Sequence, residues 1–163
     1  MNQPAKKSEK IIATHPSARS DYFLLDTFEA GIELKGTEVK SLRLSSPNLK
    51  DAFVNIVSKA NGAHEAWLYN TNIAHYQHGN IWNHEPTRKR KLLLHKFQIE
   101  RLFSAHTREG LTIIPTKFYF KNGLVKVEIA LAKGKKKYDK REDSKKKSTN
   151  KEIRSALKRK QRG

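Results

Sequence analysis

The stretch LTIIPTKFYFKNGLVKVEIALA (111–132) alternates apolar and polar positions on both sides of Asn122–Gly123. This pattern predicts two antiparallel strands joined by a two-residue turn, because a type I′ turn needs left-handed backbone at both central positions and Asn-Gly tolerates it. Counting outward from the turn pairs Phe120 with Val125, Phe118 with Val127, Thr116 with Ile129 and Ile114 with Leu131 on a buried face. The other face pairs Tyr119 with Lys126 and Lys117 with Glu128, the latter of opposite charge. Ahead of the hairpin, Ile99, Leu102, Phe103 and His106 recur at helical spacing, which predicts a helix from about Lys96 to Arg108 ended by Gly110. From Asp21 to Leu34 the alternation is imperfect and predicts a strand bent at Ala30–Gly31 and ended by Gly36. Thr37 then caps a short helix, Glu38–Leu44, with Val39 and Leu42 facing inward, Lys40 and Arg43 facing outward, and Ser45–Pro47 as its stop. Short strands follow at Asp51–Lys59, Glu65–Tyr69 and Thr71–Tyr76, the first two separated by Asn61–Gly62. Arg88–Lys91 sets four bases before Leu92–Leu94 and reads as a loop with its charges at the edge of the core. Many short strands, few helices and no βαβ rhythm predict a mainly β fold. The expected form is a small antiparallel OB-like β-barrel (the oligonucleotide-binding type) over residues 11–132, after a flexible N-terminus at 1–10.

Charge changes this picture at one place. Residues 133–163 hold fifteen Lys or Arg against four Asp or Glu, +11 of the chain's +18, and beyond Asp143 only Ile153, Ala156 and Leu157 are apolar. So few apolar groups cannot offset the entropy of ordering the segment, which predicts a basic tail disordered when free. Thr149 and Glu152 form a capping-box pattern ahead of Ile153 and Leu157, predicting about three turns of helix once an anionic partner neutralises the charges. A polyanion is the expected partner, with a purely solubilising tail as the alternative, and a pI near 10.1 points to nucleic acid rather than membrane.

The remaining chemistry is sparse. There is no cysteine, no apolar run of membrane-spanning length and no secretory leader, which suits a soluble cytoplasmic protein. His75, His78 and His84 lack a fourth ligand at consistent spacing, so surface or RNA-contacting histidines are favoured over a metal site. No cofactor motif and no nucleophile–base pair stands out. Glu29, Glu33 and Glu38 are close in sequence, yet paired carboxylates need a shared cleft; Glu38 at a helix start favours the dipole and Glu33 reads as exposed. A non-enzymatic binding protein is expected.

Three stretches in fixed order, FEAGIELKGTEVKSLR (28–43), PTRKRKLLLH (86–95) and LAKGKKKYDKRED (131–143), resemble the bacterial SsrA-binding protein family (small protein B). The resemblance covers roughly residues 11–143 and includes the Asn-Gly hairpin. It implies a factor that holds the tRNA-like domain of transfer-messenger RNA and delivers it to stalled ribosomes for trans-translation. The tail is implied to enter the empty mRNA channel near the decoding centre, against small-subunit rRNA, and to fold there as a helix. Elongation factor Tu with GTP and alanyl-tRNA synthetase are implied as indirect partners through the RNA.

By the same resemblance, Glu29 matches an RNA-site glutamate, with a bond holding the Gly31 bend as its alternative role. Lys40 and Arg43 meet phosphates or form a solvated helix face. Arg88, Arg90 and Lys91 match a basic RNA-binding loop, and Leu93 matches a position tied to RNA or serves as core. Arg19 and Lys133 belong to the same RNA-binding set. Gly134, Lys135, Lys136, Asp139, Lys140 and Arg141 match the segment acting in the decoding centre, with the Tyr138 ring available to stack on a base. His15–Pro16 stands where the family shows Asn followed by Lys or Arg, and Glu85 where Asp is usual before proline.

Overall fold

The computed structural model describes residues 8–162, with side chains through Lys160. Seven strands and four helices follow in chain order. They are β1 (Glu9–Thr14), α1 (Ala18–Asp21), β2 (Tyr22–Ile32), α2 (Gly36–Leu44), β3 (Phe53–Ser58), β4 (His64–Tyr69), β5 (Arg90–Leu93), α3 (Lys96–Arg108), β6 (Thr112–Lys121), β7 (Leu124–Gly134) and α4 (Lys137–Arg162). A 3-10 turn at Asn80–Trp82 interrupts the loop between β4 and β5. All the pairings are antiparallel.

The strand order closes on itself. β6 pairs with β3, then β4, β5, β2 and β7 follow, and β7 returns to β6, while β1 adds to the free stretch of β6. Closure of this ring removes the open edges that would otherwise seed association, and it realises the OB-like barrel expected from the sequence. Inside lie Val54, Leu68, Leu92, Ile113, Phe118, Val127 and Ile129. One end is covered by α3, whose Leu102 and Ala105 are buried with Ile99 and Phe103 packed beside them, as the helical spacing predicted. A second small cluster, Ala18, Ile114 and Ala132 with Tyr22 and Leu24, seats α1 on the outer side.

The hairpin keeps its predicted register for the first half only. Phe120–Val125, Tyr119–Lys126, Phe118–Val127 and Lys117–Glu128 pair as expected, with Asn122 and Gly123 both at positive φ (52° and 78°). Thr116 is then a bulge residue, so Pro115 opposes Ile129 and Ile113 opposes Leu131. The cause is Pro115: lacking an N–H, it cannot serve a strand flanked on both sides and is accommodated by the bulge. Thr116 Oγ1 instead bonds Glu128 Oε1 (2.8 Å) and its carbonyl oxygen (3.2 Å). One skipped residue reverses the side-chain alternation beyond it, which is why Ile113 enters the main core and Ile114 the outer cluster.

Several other expectations are corrected. β1 begins at Glu9, inside the segment expected to be flexible, because Ile11–Thr14 finds β6 as a distant partner; residues 1–7 lie outside the described region. In β2 the register shift falls between Leu24 and Thr27 rather than at Ala30–Gly31. Gly31 marks the exchange of partners, pairing with both Leu93 of β5 and Lys126 of β7, and a Cβ there would stand 3.2 Å from Leu93 Cβ. Thr71–Tyr76 is irregular apart from one bridge, Asn48–Asn72. The loop expected at Arg88–Lys91 gives way at Arg90 to a strand, Arg90–Leu93. Finally, α4 is one continuous helix of 26 residues starting at Lys137, not three turns starting near Thr149, whose Oγ1 bonds the Lys145 carbonyl within the helix (3.0 Å).

Candidate nucleic-acid interface

The loop leading into β5 is fastened to α2 through one carboxylate. Glu38 sits in the first turn of α2 and accepts the Lys35 N–H (2.8 Å), so it closes the helix start that Thr37 was expected to cap. The same carboxylate receives Arg88 Nε (3.1 Å) on one oxygen and Arg90 Nε on the other. Arg90 continues to the carbonyls of Thr71 (2.8 Å) and Pro86 (2.9 Å). Both Glu38 and Arg90 are 0% exposed. Burial pushes the Glu38 carboxyl up, but the bonds from Arg88, the Lys35 amide and Arg90 together outweigh it and hold it below the usual carboxylate range. Arg90 is therefore withdrawn as a phosphate contact: its guanidinium is spent inside the fold. Arg88 is shared, bonded to Glu38 yet part-exposed.

The other basic positions remain at the surface. Lys40 and Arg43 are exposed on α2, Lys40 over the Tyr76 ring (5.5 Å) and Arg43 beside Lys10 and the β6–β7 turn. Lys91 pairs with Glu65 (3.5 Å), and Lys89, not singled out from sequence, lies over the Trp67 ring (5.0 Å). Leu93 is exposed against Gly31 rather than part of the core.

Glu29 faces outward from β2 into a row on adjacent strands. It accepts from the Tyr119 hydroxyl and from Lys121 Nζ (3.0 and 3.2 Å), while Lys117 lies 5.2 Å from the Tyr119 ring centre. The Tyr119 bond, then Lys121, keeps the Glu29 carboxyl below its ordinary range, and burial together with Glu29 raises the Tyr119 hydroxyl. The alternative role expected for Glu29, bracing the Gly31 bend, is replaced by this cross-strand link. Tyr119 and Lys121 are partners that the sequence reading missed, although alternation along the hairpin already put Tyr119 on its outward face.

A third group lies where β7 passes into α4. Lys135, expected in the tail, has its side chain only 7% exposed and packed on the body: its Nζ donates to the Arg19 carbonyl (2.9 Å), meets Asp143 and sits 4.9 Å from the Phe23 ring centre. Lys140 pairs with Asp21 (3.2 Å), and the Lys136 N–H meets Asp139 (3.3 Å) at the helix start. Arg19, Lys133, Gly134, Lys137, Arg141 and the Tyr138 ring line the exposed side of this junction. Nearby, His15 Nδ1 accepts the Ser17 N–H (3.2 Å), and partial burial lowers the pKa of the ring.

His84 is neither a surface nor an RNA-facing residue. It is buried and bridges Thr37 Oγ1 (2.9 Å) and the Ile73 carbonyl (2.8 Å). Among the described residues no group of His, Cys, Asp or Glu is placed to hold a metal, and no helix is long and apolar enough to cross a membrane.

A closed antiparallel barrel with cationic residues on its helix, loop and strand ends, continued by a 26-residue basic helix, defines a nucleic-acid-binding barrel protein with a charged arm. The family model for SmpB protein matches residues 12–159, and the chain belongs to that family. The SsrA-binding protein of Thermosipho melanesiensis is 61% identical over 150 residues, covering 91% of this chain and 99% of its own. That of Shouchella clausii is 53% identical over 154 residues, covering 94% and 96%. A solved structure described as "tmRNA-SmpB: a journey to the center of the bacterial ribosome" matches with a TM-score of 0.61 at 43% identity, covering 80% of this chain and 92% of that one.

Proposed function

We propose that this protein binds the tRNA-like domain of transfer-messenger RNA with its barrel and accompanies it to stalled ribosomes for trans-translation, without catalysing a reaction of its own. The observation that carries this reading is the family match running through both barrel and helix, residues 12–159. A shared barrel alone would leave the arm's task open. The exposed cations of α2 and of the β5 approach meet backbone phosphates, while Glu29, held ionised, accepts from base amino groups or ribose hydroxyls.

The helix α4 carries twelve Lys or Arg against four Asp or Glu and spans about 39 Å at the usual helical rise. It is the part suited to the mRNA channel, where rRNA phosphates neutralise its charge and Tyr138 can stack near the decoding centre. Elongation factor Tu with GTP and alanyl-tRNA synthetase act on the same RNA and meet this protein through it, in the cytoplasm.

The test is a titration of the full chain, and of a chain cut after Lys136 so that β7 stays whole, against the tRNA-like fragment and an ordinary tRNA at two salt concentrations. Tight, selective and salt-sensitive binding by both chains is expected. Equal affinity for the two RNAs would make the protein a general basic RNA binder and overturn the reading.

A further inference from the structure

The loop between β4 and β5 carries a feature that the proposed function does not use. Asn83 braces it from within: its Oδ1 accepts the N–H groups of Tyr76 and His84 (both 3.2 Å), and its Nδ2 donates to the Tyr76 carbonyl (2.6 Å). Gly79 packs so closely on this side chain that a Cβ would stand 2.7 Å from Asn83 Nδ2. His84 then ties the loop to Thr37 of α2. At the apex of this fastened loop, in the 3-10 turn, Ile81 and Trp82 are 87% and 82% exposed.

An aromatic side chain of this size gains most from burial, and this one is held in water on a braced support. The loop that carries it also meets a cation of α2. Lys40 of α2 rests over Tyr76 of the same loop, and Arg43 follows along the same helix face. An exposed ring on a braced loop that also meets a lysine suits an unpaired nucleobase: the base offers a flat π-face, and its phosphates offer the matching charge. A protein partner would need an acidic and apolar patch together, whereas RNA carries both properties at every nucleotide.

We propose that Trp82, flanked by Ile81, is a stacking platform for an unpaired base of the RNA held by this protein. The proposal rests on the RNA-binding reading above. The chain has two tryptophans. Trp67 is half-buried with its Nε1–H bonded to Glu65 (3.0 Å), so Trp67→Phe in the full chain leaves Trp82 as the reporter. Titration with the tRNA-like fragment should quench this fluorescence in step with binding measured by gel shift. Trp82→Ala should weaken binding about tenfold, the scale of one lost base stack, and Trp82→Phe should restore most of it.

Binding of the fragment with unmoved fluorescence and an unaffected Trp82→Ala variant would overturn the platform while leaving the function intact. If the fragment does not bind the wild-type chain at all, the functional reading fails, and an unstructured oligoadenylate decamer decides the platform alone: quenching supports it, silence overturns it. Quenching only by the RNA-free protein fraction of ribosomes would assign the loop to a protein partner and overturn the proposal.

Discussion

At the scale of single residues, Glu38 is the most consequential side chain of the barrel. It is a buried carboxylate that compensates two guanidiniums and caps a helix. Removing one member of a buried, hydrogen-bonded ion pair leaves the other charge uncompensated, which costs about 3–5 kcal/mol. Glu38→Gln should therefore lower the unfolding free energy read from urea titration by an amount on that scale. Glu38→Leu combined with Arg90→Met should lose less than the sum of the two single changes, and strict additivity would show that the residues do not act as a pair. The pH dependence follows from the sign of the shift. With its folded-state pKa depressed, Glu38 contributes stability that is present above the ordinary glutamate value of about 4.3 and is lost as pH falls through the lower folded value. Acid titration of stability below about pH 4.3 should accordingly be shallower in Glu38→Gln than in the wild type. The network also explains why Arg90 reads wrongly from sequence: next to Arg88, Lys89 and Lys91 it looks like one more surface base, and its partner lies 52 positions away.

At the scale of elements, the β6–β7 turn is where local sequence dictates geometry most directly. Gly123 sits at φ 78° with open space around its Cα, so Gly123→Ala meets backbone strain and no clash. The expected cost is roughly 1–2 kcal/mol, read as a lower thermal midpoint with the fold unchanged by circular dichroism. No measurable loss would mean that the turn relaxes to another type. This turn and α3 were legible because their signals are local: an Asn-Gly pair, and apolar positions at helical spacing. Elements held by distant partners were not. β1 is six residues paired to β6, more than a hundred positions on, and β5 is four residues whose bases are absorbed by α2 and β4. Thr71–Tyr76 reads as a strand by composition, but its backbone is used elsewhere, the Thr71 carbonyl by Arg90 and the Ile73 N–H by the Pro86 carbonyl (2.9 Å). The candidate site divides the same way. Lys40 and Arg43 were readable from helix periodicity, whereas the link from Glu29 to Tyr119 and the exposure of Trp82 depend on how strands and loops meet in space.

At the scale of the whole molecule, body and arm meet at a defined seam, and the seam decides which lysines can be altered to test the arm. Lys135 is packed on Phe23 and paired with Asp143, so its loss would disturb the barrel's end and confuse any functional readout. Lys136 and Arg141 are exposed, and Lys140 makes only a half-exposed pair with Asp21 of the kind that adds little stability. Changing these three to Gln while keeping Lys135 should leave the thermal midpoint unchanged and the affinity for the tRNA-like fragment within about twofold of wild type, because the cations proposed to meet that RNA lie on α2 and the β5 approach. The salt dependence of fragment binding should also be unchanged, since every phosphate no longer neutralised would reduce its slope by about one. Tagging of stalled products in a reconstituted translation system should nevertheless collapse, because the first turns of α4 would enter the ribosome without the charges that rRNA is expected to neutralise. A parallel fall in fragment affinity and tagging would place the arm on the RNA instead of in the channel, and the division of labour between barrel and helix would have to be abandoned.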